Sequence, residues 1–103
     1  MRISISCFAS MVLCWTSEVT FAADSNNGLH LAERWCAACH IVSSAPSKAS
    51  DATPSFASIA QSADFGVEKL AFFLLEPHPK MPNMSLSRNE AQDIAAYIAR
   101  LRQ

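Results

Sequence analysis

Outside residues 2–7 the chain has no sustained run of alternating apolar and polar residues, which excludes strands, βαβ units and the dithiol redox folds built on them. It has no excess charge either: eight Lys and Arg stand against nine Asp and Glu, for a net charge of −1. Phosphate backbones are bound by clustered cations, so nothing here points to nucleic acid as a partner. No apolar stretch reaches the roughly twenty residues that a membrane-spanning helix needs. Repeats are missing, and the only biased segment is the Ser/Ala/Pro-rich stretch 43–54. Cysteine is scarce in an informative way. Of four, Cys7 and Cys14 fall in an N-terminal leader, which leaves Cys36 and Cys39 alone. One close pair makes no disulfide framework, and a closed zinc site would need a second ligand pair.

The leader has the parts of a secretory signal. Arg2 gives a positive start, residues 3–15 are mostly apolar, and Thr20 and Ala22 are the small residues before a cut at Ala23. The expected division is a signal peptide over 1–22 and one domain over 23–103, with an uncleaved anchor as the alternative. A domain of roughly 80 residues rarely holds itself together by apolar burial alone and needs a staple.

Cys36-Ala37-Ala38-Cys39-His40 supplies one. C-x-x-C-H is the attachment pattern of a c-type haem. Two thiols three residues apart reach the two vinyl groups of a porphyrin and form thioethers. The next residue, His40, then lies where a neutral imidazole nitrogen binds the iron. Ala37 and Ala38 are too small to keep a planar ring away. Export and this motif support each other, because thioether haem proteins are assembled outside the bacterial cytoplasm.

Helical periodicity organises the rest. A first helix is predicted over about 28–39, capped by Asn26 or Asn27, with Leu29, Ala32, Trp35 and Cys36 on one face. A loop follows to Pro54, then a short helical turn over 55–61 with Phe56, Ile59 and Ala60 inward. A helix over 67–75 carries an inner stripe of Val67, Leu70, Ala71 and Leu74 and ends before Pro77. Ser87-Arg88-Asn89-Glu90 reads as a capping box for a last helix, with Ile94, Tyr97, Ile98 and Leu101 on its apolar face. Arg100 and Arg102 favour its C-terminal end.

An iron held by one histidine leaves a sixth position to assign. Met81 and Met84 compete for it, and His78 is a third candidate. Pro79 and Pro82 stiffen the backbone around Met81, which helps to hold a thioether in place. His78, between two prolines, reads as a solvent-facing loop residue, and His30 as a surface residue of the first helix. Lone methionines are ordinary core filler, which is the competing role for both Met81 and Met84.

From Gly28 to Leu101 the chain resembles the small bacterial class I cytochromes c. The order of parts is theirs: Gly28 and Ala32 ahead of C-x-x-C-H, a Pro-x-apolar step, a Met-Pro loop, and a last helix with Ala96-Tyr97-Ile98. The resemblance implies an all-α fold of three to four helices wrapped around one covalently attached haem c. It implies thioethers at Cys36 and Cys39 and iron ligands at His40 and Met81. Pro54 would accept a hydrogen bond from the other nitrogen of His40, and the inward Phe56 would also contact the cofactor. It implies that Gly28 and Ala32 admit Ile94 and Tyr97 at a close helix crossing, with less aromatic packing than in relatives that have an aromatic at the place of Ala32. No mid-chain tryptophan is present to bond a propionate, which leaves Lys48, Lys69 and Lys80 as candidates.

The expected function is that of a monomeric periplasmic electron carrier, not an enzyme, which meets redox partner proteins transiently and does not insert into the membrane after signal cleavage. Ala37, Ala38 and Ile41 would form the apolar rim for those contacts. Alternatives are a cytochrome subunit of a periplasmic dehydrogenase or oxidase, hinted at by Phe72 and Phe73, or a haem protein with an open sixth position for gas binding or peroxidase-like chemistry.

Overall fold

The computed structural model describes residues 22–44, 52–76 and 80–103. Most of the expected leader, together with Lys48, Pro77, His78 and Pro79, lies outside the described residues. Four α-helices and no strand occur among the described residues, in keeping with the missing alternation. None of these helices is long and apolar enough to cross a membrane.

α1 is Ser25–Trp35, so it starts and ends earlier than the 28–39 read from periodicity. Its cap is Asp24 rather than Asn26 or Asn27. The Asp24 carboxylate accepts from the backbone N–H groups of Asn26 and Asn27 at 3.0 and 3.1 Å. A carboxylate also suits the positive end of the helix dipole, which an amide does not. At the other end the N–H groups of Cys36 and Ala37 both bond the Ala32 carbonyl, and the chain turns out of the helix. Trp35, expected on the inner face, is instead 43% exposed beneath the Arg34 guanidinium.

α2, Phe56–Gln61, is capped by the Ser55 hydroxyl, which accepts from the Ser58 N–H at 3.1 Å. α3, Val67–Leu75, has the predicted limits. Its contact with the last helix centres on Ala71, packed in one cluster with Ala91 and Ala95 and flanked by Leu70 and Leu74. Val67 stands one turn before that contact and is exposed, contrary to the predicted stripe. α4, Arg88–Arg100, begins with the predicted capping box: the Ser87 hydroxyl accepts from the Glu90 N–H, and the Glu90 carboxylate accepts from the Ser87 N–H.

α1 and α4 cross with backbone nearly on backbone. A Cβ placed on Gly28 would stand 1.9 Å from the Asp93 carbonyl oxygen. The Asp93 carboxylate then accepts from the Asp24 N–H at 2.7 Å and from the Asn27 amide at 2.8 Å. Arg100 donates to Ser25 and Asn26 of the same first turn. Below the crossing, Ala32, Cys36, Val42, Phe56, Ala60, Ile94, Tyr97 and Ile98 make the main core.

The segment before α4 holds the one non-glycine residue with a left-handed backbone among those described, Ser85 at φ 51°. Its N–H bonds the Asn83 side chain at 2.9 Å. That twist lets Met84 and Leu86, on either side, both pack against the core. A side chain in this region costs about 1–2 kcal/mol, and glycine returns about 0.5–1 of that as chain entropy. Ser85→Gly is therefore expected to raise stability by up to about 1 kcal/mol, read as a higher melting temperature of the holoprotein. A lower one would mean that Ser85 makes up the strain through its own contacts.

Candidate haem site

The motif occupies the turn that follows α1. The N–H groups of Cys39 and His40 both donate to the Cys36 carbonyl, at 3.1 and 2.8 Å, which curls 36–40 into a tight loop. This turns Cys36 and His40 inward, to 5% and 8% exposure, and leaves Cys39 at the surface. Burial pushes the Cys36 thiol up to about 11, so it is a neutral thiol at pH 7.

The hydrogen bond of His40 decides its tautomer. Nδ1 lies 2.6 Å from the Pro54 carbonyl oxygen. A carbonyl only accepts, so Nδ1 carries the hydrogen and Nε2 keeps the lone pair. That is the tautomer of a metal-binding imidazole, and the carbonyl also makes Nε2 a stronger donor. The Phe56 ring packs against the imidazole with centroids 5.4 Å apart, and Phe56 in turn meets Tyr97 at 6.4 Å.

Cys36, His40, Pro54, Phe56 and Met81 line one cavity of about 480 Å³. Its other walls include Ile59, Leu70, Phe73, Leu74 and Ile98, with Lys80 among the few polar residues. The size falls in the roughly 300–1,000 Å³ range of small-molecule and cofactor sites. Of the six residues singled out in the sequence, Cys39 is the one not on the cavity wall. Met84 packs against the main core instead, which is the ordinary role of a methionine. Leu70, Leu74 and Ile98 were visible in the sequence as apolar stripes, but nothing in a stripe separates a cavity wall from a filled core. Phe73 was marked in the sequence only as a docking hint beside Phe72, and Thr53 carried no signal of its own.

Among the lysines named for the propionates, Lys69 is engaged elsewhere: its ammonium lies 2.9 Å from the Asp64 carboxylate. The Ser62 hydroxyl and Lys69 together hold the Asp64 carboxyl down at about 2, so it is ionised at neutral pH. Lys69 and Asp64 line a neighbouring hollow of about 350 Å³, which shares Pro54, Ile59, Leu70 and Phe73 with the larger cavity. Among the described residues, Lys80 is the lysine that reaches the larger cavity.

The donors fit a haem. Imidazole and thioether suit iron, a thiol stands ready on the wall, and the rest of the lining is apolar apart from Thr53 and Lys80. No three His, Cys, Asp or Glu residues gather at one point among the described residues, so no closed zinc set forms there. Fold and site thus define a c-type haem protein. Over 87 residues, 84% of each chain, the sequence is 59% identical to cytochrome c-552 of Bradyrhizobium diazoefficiens. The chain belongs to the small c-type cytochromes. No family model matches it. No solved structure matches it either.

Proposed function

We propose that this cytochrome is a periplasmic carrier of single electrons, with one haem c held through Cys36 and Cys39 and its iron ligated by His40 and Met81. The observation that carries the reading is the placement of His40 and Met81 on one apolar cavity, with the His40 tautomer set by Pro54. Bound there, the haem supplies a one-electron ferrous/ferric couple.

The chain's own residues supply the rest. Pro54 keeps the His40 ring from rotating, and Pro82 stiffens the backbone after Met81, so both ligands are retained in either oxidation state. Ile59, Leu70, Leu74 and Ile98 keep water from the cavity, which limits reorganisation on electron transfer. Exposed Ala38 and Ile41 and half-buried Ala37 offer an apolar rim beside the motif. Short-lived redox encounters use small interfaces of this kind, below about 1,200 Å². Phe72 and Phe73 are both exposed, at 65% and 42%, with Phe73 at the cavity and Phe72 on the outer face of α3. Residues 1–22 have the signal-peptide pattern that would deliver the chain to the periplasm.

The test is a spectroelectrochemical titration of the purified holoprotein, followed by exposure of the reduced form to carbon monoxide. A single reversible one-electron wave and no carbon monoxide complex are expected. Rapid carbon monoxide binding would place an open sixth position at the iron and overturn the carrier reading in favour of gas binding or catalysis.

A further inference from the structure

The residues that follow His40 are fastened at three successive positions. His40 itself donates to Pro54, and the Ile41 carbonyl accepts from the Phe56 N–H at 3.0 Å. The Val42 carbonyl accepts from the Tyr97 hydroxyl at 2.5 Å. The first two bonds end on one stretch, 54–56, where α2 begins, so they tie 40–41 to α2 and neither of them reaches α4. The third does. Tyr97 sits in α4, which is locked to α1 at Gly28 and Asp93, and α1 runs directly into Cys36, whose N–H bonds the Ala32 carbonyl. The Tyr97 hydroxyl therefore closes a ring of contacts that runs from α1 through the motif to Val42, α4 and back.

Tyr97 and Val42 are 5% and 4% exposed, so water cannot replace this bond. Burial and the nearby Glu33 both raise the phenol, which stays protonated and donating at neutral pH. The Tyr97 ring also touches Phe56, which touches His40, so the same residue meets the ligand's stretch from the side.

We propose that Tyr97 is a positioning residue for His40, its hydroxyl holding the Val42 carbonyl so that the imidazole keeps one orientation toward the cavity. The proposal rests on His40 being an iron ligand. Tyr97 acts at a distance and touches no reacting atom.

The experiment is proton NMR of the ferric holoprotein, reading the paramagnetically shifted ring resonances of His40, together with the reduction potential. Tyr97→Phe keeps the ring and removes the hydroxyl. It is expected to shift the His40 resonances and the potential. Ile94→Val, which deletes one buried methyl a helical turn away, is expected to lower the melting temperature and leave both unchanged. Because Tyr97 is the chain's only tyrosine, growth on 3-fluorotyrosine alters this residue alone. Its hydroxyl is a stronger donor, so the His40 resonances should move opposite to those of Tyr97→Phe, which tests the idea even if that variant loads haem poorly. Unmoved His40 resonances in the fluorotyrosine protein, or an equal shift in Ile94→Val, would overturn the proposal while leaving the ligand intact. Wild-type protein without any shifted histidine ring resonance would overturn the ligand reading itself.

Discussion

Gly28→Ala is expected to lower stability by about 3 kcal/mol or more, although alanine is the better helix former. In an exposed helix interior the change would stabilise by up to about 1 kcal/mol. Here the added methyl meets the Asp93 carbonyl oxygen at 1.9 Å and the Ile94 nitrogen at 3.0 Å, and both are backbone. No side chain can swing aside, so α1 and α4 must separate. Separation stretches the bonds from Asp24 and Asn27 to Asp93 and loosens the packing of Ile94, which is fully buried. Overpacking a tight contact costs about 1–3 kcal/mol, and more where main chain must move. At about 4–8 °C per kcal/mol for a domain of this size, the melting temperature should fall by more than about 12 °C. Gly66→Ala is the control. Its Cβ would meet only the Lys69 Cβ, at 3.6 Å, and the loss of a favoured cap residue should cost less than about 1 kcal/mol. Equal melting temperatures for the two variants would show that the crossing has room.

Met81→Ala and Met84→Ala are expected to separate ligand from core. Met81 lines the cavity with His40, whereas Met84 packs against the buried cluster that includes Ile94 and Ile98. Oxidised holoprotein should show a weak near-infrared band from thioether-to-iron charge transfer. Met81→Ala should abolish it and lower the reduction potential, because a methionine ligand raises the potential of a haem. Met84→Ala should keep the band and lose about 1–2 kcal/mol of stability, less than a fully buried methionine costs, since it is half-buried. The reverse pattern would make Met84 the ligand and Met81 the filler.

Much of this was legible in the chain. C-x-x-C-H is a local pattern, because the reach of two thiols and one imidazole to a flat ring depends on spacing alone. The limits of α3 and the capping box of α4 are local too, each set within three or four residues. Trp35 and Val67 misled for a different reason. Periodicity gives the direction of a side chain around the helix, but burial needs a partner at that height. α1 ends at Trp35, and α4 meets α3 one turn beyond Val67. Lys69 could be named as a candidate but not excluded, since its pairing with Asp64 depends on how the 62–66 turn folds back.

By itself, then, the sequence determined a helical chain with a thioether haem motif, the order of its helices and a short list of axial ligands. Those depend on contacts between near neighbours, which spacing encodes. Tertiary structure alone decided that Asp93 would bind the start of α1, 69 residues away, and that Tyr97 would reach the Val42 carbonyl, 55 residues away. Spacing alone left Met81 and Met84 in competition; the family resemblance favoured Met81, and the fold sets Met81 on the cavity and Met84 against the core. Such pairings depend on where two helices cross, and the crossing exists only once Gly28 has let the backbones meet.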